Sequence, residues 1–329
     1  MLKIEDLKVH FFTDTGIAKA VDGASFTVDR SEIVGLVGES GCGKTVAAMS
    51  VLGIVHHPGR IVGGRILLDG EDLTQQSQRY METIRGSRIG TVFQDPMTAL
   101  NPAIRVGEQV AEVIRAHDGR SGLAGSLGLL GSTRRNSSAW SKAVTSLEEV
   151  GIPAAERRAS DFAHQFSGGL RQRIVVAASI VTEPELLIAD EPTTALDVTV
   201  QAQILDLLLR LKEAHNTGIL LITHDLGVVA QVCDRAAVMY AGHAVENGPV
   251  GALLAEPLHP YTRALLKCMP SGLATGELPE QIPGSPPNPL NMPVGCRFRP
   301  RCPQARQECD QLQQCRTVEG RMVRCMLYD

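Results

Sequence analysis

Short apolar runs alternate with longer periodic segments along most of this chain. Three runs contain almost no polar residue, namely 33–37, 185–189 and 219–222. Such runs are typical of parallel strands that are buried on both faces. Segments 46–52 and 198–214 follow the first two runs and predict helices. Residues 2–12 and 18–28 instead alternate apolar and polar side chains around an Asp-Thr-Gly turn, which predicts antiparallel strands. We therefore expect an α/β fold with a mostly parallel core sheet and an antiparallel β subdomain.

The middle of the chain is predicted to be helical. It follows two further short strands, a hairpin strand at 63–70 and a core strand at 88–93. Apolar residues then recur at helical spacing as far as about Ile180, which predicts a helical subdomain over about 97–180. The Gly- and Ser-rich stretch 118–138 interrupts this pattern and predicts a mobile insertion.

Composition and charge limit the class of protein. A chain of 329 residues with 43% hydrophobic content suffices for a large α/β domain and an appendage. The net charge of -4 argues against a general nucleic-acid binder. The N-terminus lacks the apolar run of a secretory signal, and no window approaches eighteen consecutive apolar residues. We therefore expect a cytoplasmic protein without a membrane span of its own.

One stretch matches the phosphate-binding loop pattern G-x-x-x-x-G-K-[ST] at every fixed position: Gly38, Glu39, Ser40, Gly41, Cys42, Gly43, Lys44 and Thr45. It lies between a predicted strand and a predicted helix, as the motif requires. Its glycines let backbone N–H groups point at an anion, Lys44 neutralises phosphate charge, and Thr45 offers a hydroxyl to Mg²⁺. A nucleoside triphosphate with Mg²⁺ is therefore expected. A thiol at Cys42, beside Lys44, would have a lowered pKa, although a neutral small residue is the favoured interpretation.

Polar residues follow the predicted core strands. Asp190 and Glu191 end one strand, and Gln94 and His224 follow two others. Ligands of parallel α/β sheets bind at the carboxyl ends of strands, so these residues are candidates for one site. Asp190 would hold Mg²⁺, and Glu191 would orient or deprotonate the attacking water. Gln94 would contact Mg²⁺ and that water, and His224 would hydrogen-bond the γ-phosphate.

A second anion site is predicted within the helical segment. Ser167, Gly168 and Gly169 precede a helix rich in isoleucine, valine and alanine. A serine cap and two glycines leave backbone donors open at the positive end of that helix. One chain then carries two half-sites for a triphosphate. We therefore expect two such domains to meet head to tail, each completing the other's pocket.

Taken in order, these motifs resemble the nucleotide-binding subunit of ATP-binding cassette (ABC) transporters. The resemblance covers about residues 1–255. Beyond the phosphate loop, the resemblance rests on six further motifs of the family. They are the Q-loop residue Gln94, the signature at 167–172, the Mg²⁺ aspartate Asp190, the catalytic glutamate Glu191, the D-loop at 195–197 and the switch histidine His224. It implies a P-loop NTPase fold of the ABC type and ATP hydrolysis. The family's adenine-stacking aromatic has no clear counterpart near Ala18, and Phe12 is the candidate.

The C-terminal part narrows the resemblance. Segments 259–266, 282–287 and 296–302 are similar to the extension of oligopeptide and dipeptide importer ATPases. This implies a nucleotide-binding domain at 1–255 and an extension at 256–329. It also implies a bacterial importer with a second ABC ATPase, two transmembrane permease subunits and an extracytoplasmic peptide-binding protein. The chain would then lie peripherally at the cytoplasmic face of the inner membrane. Nickel and glutathione importers share much of this tail and stay open as alternatives.

Five of the eight cysteines lie beyond residue 295, which in a reducing compartment indicates a metal site more than a set of disulfides. In the importer family the recurrent cysteines correspond to Cys296, Cys302, Cys309 and Cys325, and they are similar to a set that can hold a [4Fe–4S] cluster. Thiolates suit this cluster and zinc alike. The spacing lacks the Cys-x-x-Cys pattern of zinc ribbons, which favours the cluster. Cys315 is an additional thiol that could replace one ligand.

A different class of function is also open. The tail beyond residue 295 holds seven arginines, which would suit a soluble ABC ATPase acting on nucleic acid. The acidic net charge, the single cassette and the importer-like tail weigh against it, so no nucleic-acid partner is expected. A small-molecule kinase is a third interpretation, which the signature at 167–172 disfavours.

Overall fold

The computed structural model describes residues 1–117, 138–194, 196–269 and 280–328. The chain divides into two compact units: Met1–Ser77 with Leu220–Asp329, and Gln78–Ile219. Nearly all of the predicted Gly- and Ser-rich insertion, and Ala195 of the predicted D-loop, lie outside the described residues. The predicted domain boundaries stay predictions.

The strands are β1 (Leu2–Thr13), β2 (Gly16–Val28), β3 (Ile33–Val37), β4 (Gly59–Leu68), β5 (Glu71–Asp72), β6 (Ile89–Val92), β7 (Leu186–Asp190), β8 (Gly218–Thr223), β9 (Arg235–Tyr240), β10 (His243–Pro249), β11 (Arg316–Val318) and β12 (Arg321–Val323). The helices are α1 (Lys44–Val51), α2 (Gln78–Ile84), α3 (Pro96–Ala99), α4 (Val106–His117), α5 (Ser138–Glu149), α6 (Ala155–Arg158), α7 (Gly168–Ile180), α8 (Val198–His215), α9 (Leu226–Val232), α10 (Val250–Ala255) and α11 (Pro260–Lys267). Short 3₁₀ turns occur between some of them, including one at Arg299–Arg301.

The N-terminal strands of the first unit form an antiparallel sheet with the order β2-β1-β4-β5. β1 and β2 pair from Leu2 with Val28 to Thr13 with Gly16, on either side of the predicted turn. Their alternating pattern therefore predicted the hairpin correctly. The strand expected at 63–70 begins earlier, at Gly59, because β4 pairs with β1 as far as Phe11.

A second sheet of this unit carries strands in the order β11-β12-β10-β9-β3-β8. β3 is buried along its whole length and pairs in parallel with β9, as its apolar run predicts. β10 runs antiparallel to β9, and β12 then pairs antiparallel with β10. The C-terminal tail thus contributes the β11–β12 hairpin to the sheet that contains the strand before the phosphate loop.

The second unit combines a parallel strand pair with helices. β6 and β7 pair in parallel from Ile89 with Leu186 to Val92 with Ala189. α4 packs against α5 and α7 through a buried stripe that includes Val106, Val110 and Ile114, as the helical spacing predicted. α8 is the longest helix of the unit's described residues and buries Ile204 and neighbouring leucines.

Candidate functional site

The phosphate loop connects buried β3 to the first turn of α1. Gly43 is the N-cap of α1 and has a φ of 104°, in the region that favours glycine. A Cβ at this position would lie 2.3 Å from the carbonyl oxygen of Ala20, so the loop approaches β2 too closely for a side chain. The Lys44 ammonium is buried and donates to the carbonyls of Gly38 at 2.8 Å and Glu39 at 3.1 Å. The structure therefore places the amine inside the loop.

Cys42 belongs to this loop, and it is only 4% exposed. Burial raises its pKa, and this effect outweighs the nearby Lys44 ammonium, which lowers it. The less favoured hypothesis of a lowered pKa at Cys42 is therefore wrong, and the raised pKa agrees with the favoured interpretation of a neutral small residue. The sequence shows the helix N-terminus and the lysine, whereas the burial of the sulfur depends on packing that the local motif does not specify.

Two of the predicted strand-end residues meet in the second unit. The Gln94 amide donates to Oε2 of Glu191 at 3.1 Å. The Thr194 hydroxyl donates to the same oxygen at 2.9 Å. These two donors orient the carboxylate, which is half-buried, while Gln94 itself is exposed. Asp190 lies immediately before it, as the half-buried last residue of β7.

Glu191 has an unusual backbone conformation that sequence patterns did not reveal. Its φ is 46°, in the left-handed region that a residue with a Cβ adopts at a cost of about 1–2 kcal/mol. Pro192 follows it, and the turn at 191–194 is closed by a hydrogen bond from the Thr194 N–H to the Glu191 carbonyl at 3.1 Å. Such conformations cluster at functional sites. Eight other non-glycine residues in the described part of the chain also have a positive φ, so this conformation alone does not mark Glu191 as catalytic.

The predicted signature forms the start of α7 in the second unit. Ser167 is the N-cap, and both it and Gly168 are exposed. The Ser167 side chain makes no capping hydrogen bond to its own helix, unlike the serine cap that the sequence predicted. A Cβ at Gly169 would lie 2.5 Å from Cγ1 of Val200 on α8, so this glycine allows α7 to pack closely against α8. The start of α7 thus presents backbone donors at the surface of this unit.

Three other predicted positions lie in the first unit. Thr45 is half-buried in the first turn of α1. His224 is exposed and follows β8 directly. Phe12, the candidate for adenine stacking, is 43% exposed near the end of β1, and the Arg60 guanidinium lies 5.8 Å from its ring centroid. Its role as a base-stacking residue stays a prediction.

The four cysteines predicted as ligands line one small cavity in the tail: Cys296, Cys302, Cys309 and Cys325. Each sulfur has a backbone N–H within hydrogen-bonding reach, from residues 298, 304, 306 and 327 respectively. Burial raises the pKa of the Cys296 thiol to about 11. Cys315 is exposed and accepts a hydrogen bond from Arg324 at 3.3 Å.

The prediction of a metal site at these cysteines is not confirmed. Across 1–117, 138–194, 196–269 and 280–328, no group of three or more His, Cys, Asp or Glu residues could hold a metal ion.

Over the same ranges, no helix combines the length and apolar character needed to cross a bilayer.

Comparisons with family models and curated proteins agree on one family. A model described as "ABC transporter" matches residues 21–194, and "Oligopeptide/dipeptide transporter, C-terminal region" matches 245–309. The oligopeptide transport ATP-binding protein AppD of Bacillus subtilis is 44% identical over all of this chain and 97% of its own length. OppD of Salmonella typhimurium is 44% identical over 94% of this chain and 88% of its own length. The dipeptide transport ATP-binding protein DppD of Escherichia coli is 42% identical, with coverages of 94% and 90%.

Solved structures support the fold. The ATP-binding cassette MJ0796, in a dimeric post-hydrolysis state with ADP and Pi, superposes with a TM-score of 0.63 at 23% identity, over 76% of this chain and 99% of that one. CbiO1 of Clostridium perfringens, part of the ABC transporter complex cbiONQ, gives a TM-score of 0.63 at 28% identity, with coverages of 78% and 90%. The predicted ABC-type P-loop fold is therefore confirmed.

Proposed function

The chain belongs to the ABC transporter family, among the ATP-binding subunits of oligopeptide and dipeptide transporters, and from this premise we propose how its residues drive peptide import. It is an ATPase, and the importer function predicted from its motifs is confirmed over the nickel, glutathione and nucleic-acid alternatives at the level of family.

We infer that the phosphate loop binds the triphosphate of ATP. The buried Lys44 ammonium and the glycine-rich backbone support this role, because both offer donors to phosphate oxygens. Thr45, Asp190 and Gln94 would hold Mg²⁺, since hydroxyl, carboxylate and amide oxygens are ligands of the kind that this hard cation prefers. Bound Mg²⁺ would neutralise charge on the phosphates.

We propose Glu191 as the general base that accepts a proton from the attacking water. Two hydrogen bonds to one of its oxygens, from Gln94 and Thr194, hold the carboxylate in a defined orientation. Such positioning supports proton abstraction in a fixed geometry. His224 would contact the γ-phosphate through its exposed imidazole, which follows β8.

The observation that carries the proposal is an intact phosphate loop in the same chain as an exposed helix start at Ser167 and Gly168. We propose that this helix start completes the nucleotide site of a second ABC ATPase. ATP binding would then join two cassettes, and hydrolysis would release them. This cycle would drive two permease subunits that receive peptide from an extracytoplasmic binding protein. The chain would be peripheral, held at the cytoplasmic face of the membrane by the permeases.

Transport by cells lacking this gene tests the function and separates the alternatives. Complementation with the wild-type chain should restore uptake of a labelled tripeptide, whereas Lys44→Ala should not, because the loop loses its phosphate-binding cation. Uptake of labelled Ni²⁺ and glutathione is measured in the same cells. Restored uptake of either, without restored peptide uptake, would reject the peptide proposal.

We also propose that Cys296, Cys302, Cys309 and Cys325 hold a [4Fe–4S] cluster, or zinc as the alternative. The support is chemical: four thiols line one cavity, and each sulfur has a backbone N–H donor beside it that can stabilise a sulfur ligand. Without metal, the described residues do not bring the thiols together as a metal-binding group, and burial raises the pKa of the Cys296 thiol, so binding would have to deprotonate and gather them. Bound iron and sulfide would supply a rigid crosslink between distant parts of the tail.

Anaerobically purified protein tests this part separately. Iron, sulfide and zinc are measured together with the visible spectrum in the wild type, in Cys309→Ser and in Cys315→Ser. Cys315 is the matched control, because it is exposed and does not line the cavity. Broad visible absorbance lost only in Cys309→Ser supports a cluster, and stoichiometric zinc supports the alternative. Colourless protein without either metal rejects both.

A further inference from the structure

The C-terminal extension contacts the phosphate loop at Glu39, the second residue of the motif. The Arg301 guanidinium forms a two-point ion pair with the Glu39 carboxylate, with Nη1–Oε2 at 2.7 Å and Nη2–Oε1 at 2.9 Å. The Tyr261 hydroxyl accepts a hydrogen bond from the Glu39 backbone N–H at 2.9 Å. Thus the side chain and the main chain of one loop residue are both held by the extension.

Arg301 is built into this position. Its side chain is only 4% exposed. Besides Glu39, the guanidinium donates to the carbonyls of Pro283 at 2.9 Å and Ile282 at 3.3 Å, and to the Tyr240 hydroxyl at 3.3 Å. A buried guanidinium with donors directed to so many acceptors has little freedom to rotate, and the planar fork matches a carboxylate in one orientation. It therefore fixes the direction of the Glu39 side chain.

Tyr261 is equally constrained. It is fully buried, and its ring packs against Tyr240 and Phe298 with centroid distances of 4.5 Å and 5.3 Å. Its backbone N–H donates to Nδ1 of buried His259 at 3.0 Å, which fixes the first turn of α11. The hydroxyl that receives the Glu39 N–H is therefore presented by a rigid aromatic cluster.

We propose that Arg301 and Tyr261 are positioning residues for ATP, which hold Glu39 so that the loop keeps its phosphate-binding shape. The inference deepens the proposed function and rests on ATP binding at this loop. The Lys44 ammonium bonds to the carbonyls of Gly38 and Glu39, so the position of Glu39 also affects where the ammonium lies. A loop that is ordered before the nucleotide arrives loses less conformational entropy on binding.

The variants change the two anchoring residues separately. Arg301→Met removes the ion pair with Glu39 together with the hydrogen bonds to Pro283, Ile282 and Tyr240. Tyr261→Phe removes only the hydroxyl and keeps the aromatic packing. Arg299→Met is the matched control, because Arg299 lies in the same 3₁₀ turn but is 44% exposed and pairs with Asp310. The equilibrium Kd for a fluorescent ATP analogue, the ATPase KM and kcat, and thermal stability are measured for each.

We expect Arg301→Met to raise the Kd and KM about tenfold and Tyr261→Phe about threefold, with kcat changed less than about twofold. Arg299→Met should resemble the wild type. A purely structural role would instead lower stability and the fraction of active protein without changing the Kd of the folded fraction. Wild-type Kd values for both Arg301→Met and Tyr261→Phe would overturn the proposal.

Glu39→Gln removes the same ion pair by changing its loop residue. The Glu39 side chain is 25% exposed, so this substitution endangers folding less than one at Arg301. If the pair acts as a unit, Glu39→Gln with Arg301→Met should bind ATP no more weakly than Arg301→Met alone. Fully additive losses would contradict the proposal. A wild-type chain that binds no ATP at all would refute the proposed function itself, which keeps the two failures distinct.

Discussion

Replacing Glu191 with glutamine separates ATP binding from ATP hydrolysis. The substitution preserves size, and the amide oxygen can take the place of the carboxylate oxygen that accepts hydrogen bonds from Gln94 and Thr194. What is lost is the basicity of the group. The variant should therefore bind ATP with Mg²⁺ nearly as the wild type does, fail to turn it over, and accumulate as a closed dimer.

The size of the effect follows from the proposed role. General-base catalysis contributes about 10²–10⁴-fold to a rate, which corresponds to about 2.7–5.4 kcal/mol in the barrier. Thr194→Val is the matched control, because it keeps the carboxylate and removes one hydrogen bond. If losing this hydrogen bond raises the barrier by about 1 kcal/mol, the hydrolysis rate of Thr194→Val should fall about fivefold.

Single-turnover hydrolysis of radiolabelled ATP gives the rate, and light scattering with ATP and Mg²⁺ gives the oligomeric state. The assay is carried out with the partner ATPase present, since the second half-site comes from another cassette. Hydrolysis by Glu191→Gln at the wild-type rate would refute the assignment of the base. A variant that no longer binds ATP would contradict the claim that the amide preserves the site.

Three further predictions concern single side chains. In a titration, Gly43→Ala should weaken ATP binding at least about tenfold. Gly41→Ala is the control, because a Cβ there would have no neighbouring atom within 4 Å, and it should weaken ATP binding by only about 1 kcal/mol. Because burial raises the pKa of Cys42, iodoacetamide at pH 8 should modify exposed Cys315 first, as mass spectrometry can show. Burial lowers the pKa of His243 to about 2, so the unfolded chain binds the extra proton below pH 6.5. Buried His259, whose pKa is lowered to about 3, contributes a similar loss to any variant that keeps it. Between pH 7.5 and 5.5, the free energy of unfolding in urea should therefore fall by about 1.4 kcal/mol more in the wild type than in His243→Gln.

Local patterns predicted the elements and the motif-bearing loops well, because both depend on residues close in sequence. The β1–β2 hairpin, the buried strand β3 and the apolar stripe of α4 all follow directly from spacing. The meeting of Gln94 with Glu191 was also foreseeable, since both follow strands that pair in parallel. The geometry confirms that pairing as a contact, while the catalytic roles stay a prediction.

Contacts between distant segments that no strand pairing links could not be predicted in this way. Glu39 and Arg301 are 262 residues apart, and no periodic pattern links a loop residue to a 3₁₀ turn in the tail. The left-handed backbone of Glu191 is likewise imposed by its surroundings. The pKa of Cys42 illustrates the same limit. Whether the pKa is raised or lowered depends on how much water reaches the sulfur, which only the packed structure determines.

The exposure of the arginines in the tail bears on whether the tail could bind nucleic acid. Phosphate backbones are bound by cations that are accessible to them. Three of the seven tail arginines have side chains that are 5% exposed or less, namely Arg297, Arg301 and Arg321. They bond within the first unit to Asp22, Glu39 and the carbonyl of Glu256 respectively. Three of the seven cations that suggested a nucleic-acid module therefore attach the tail to its own unit, and salt-sensitive DNA binding would contradict this conclusion.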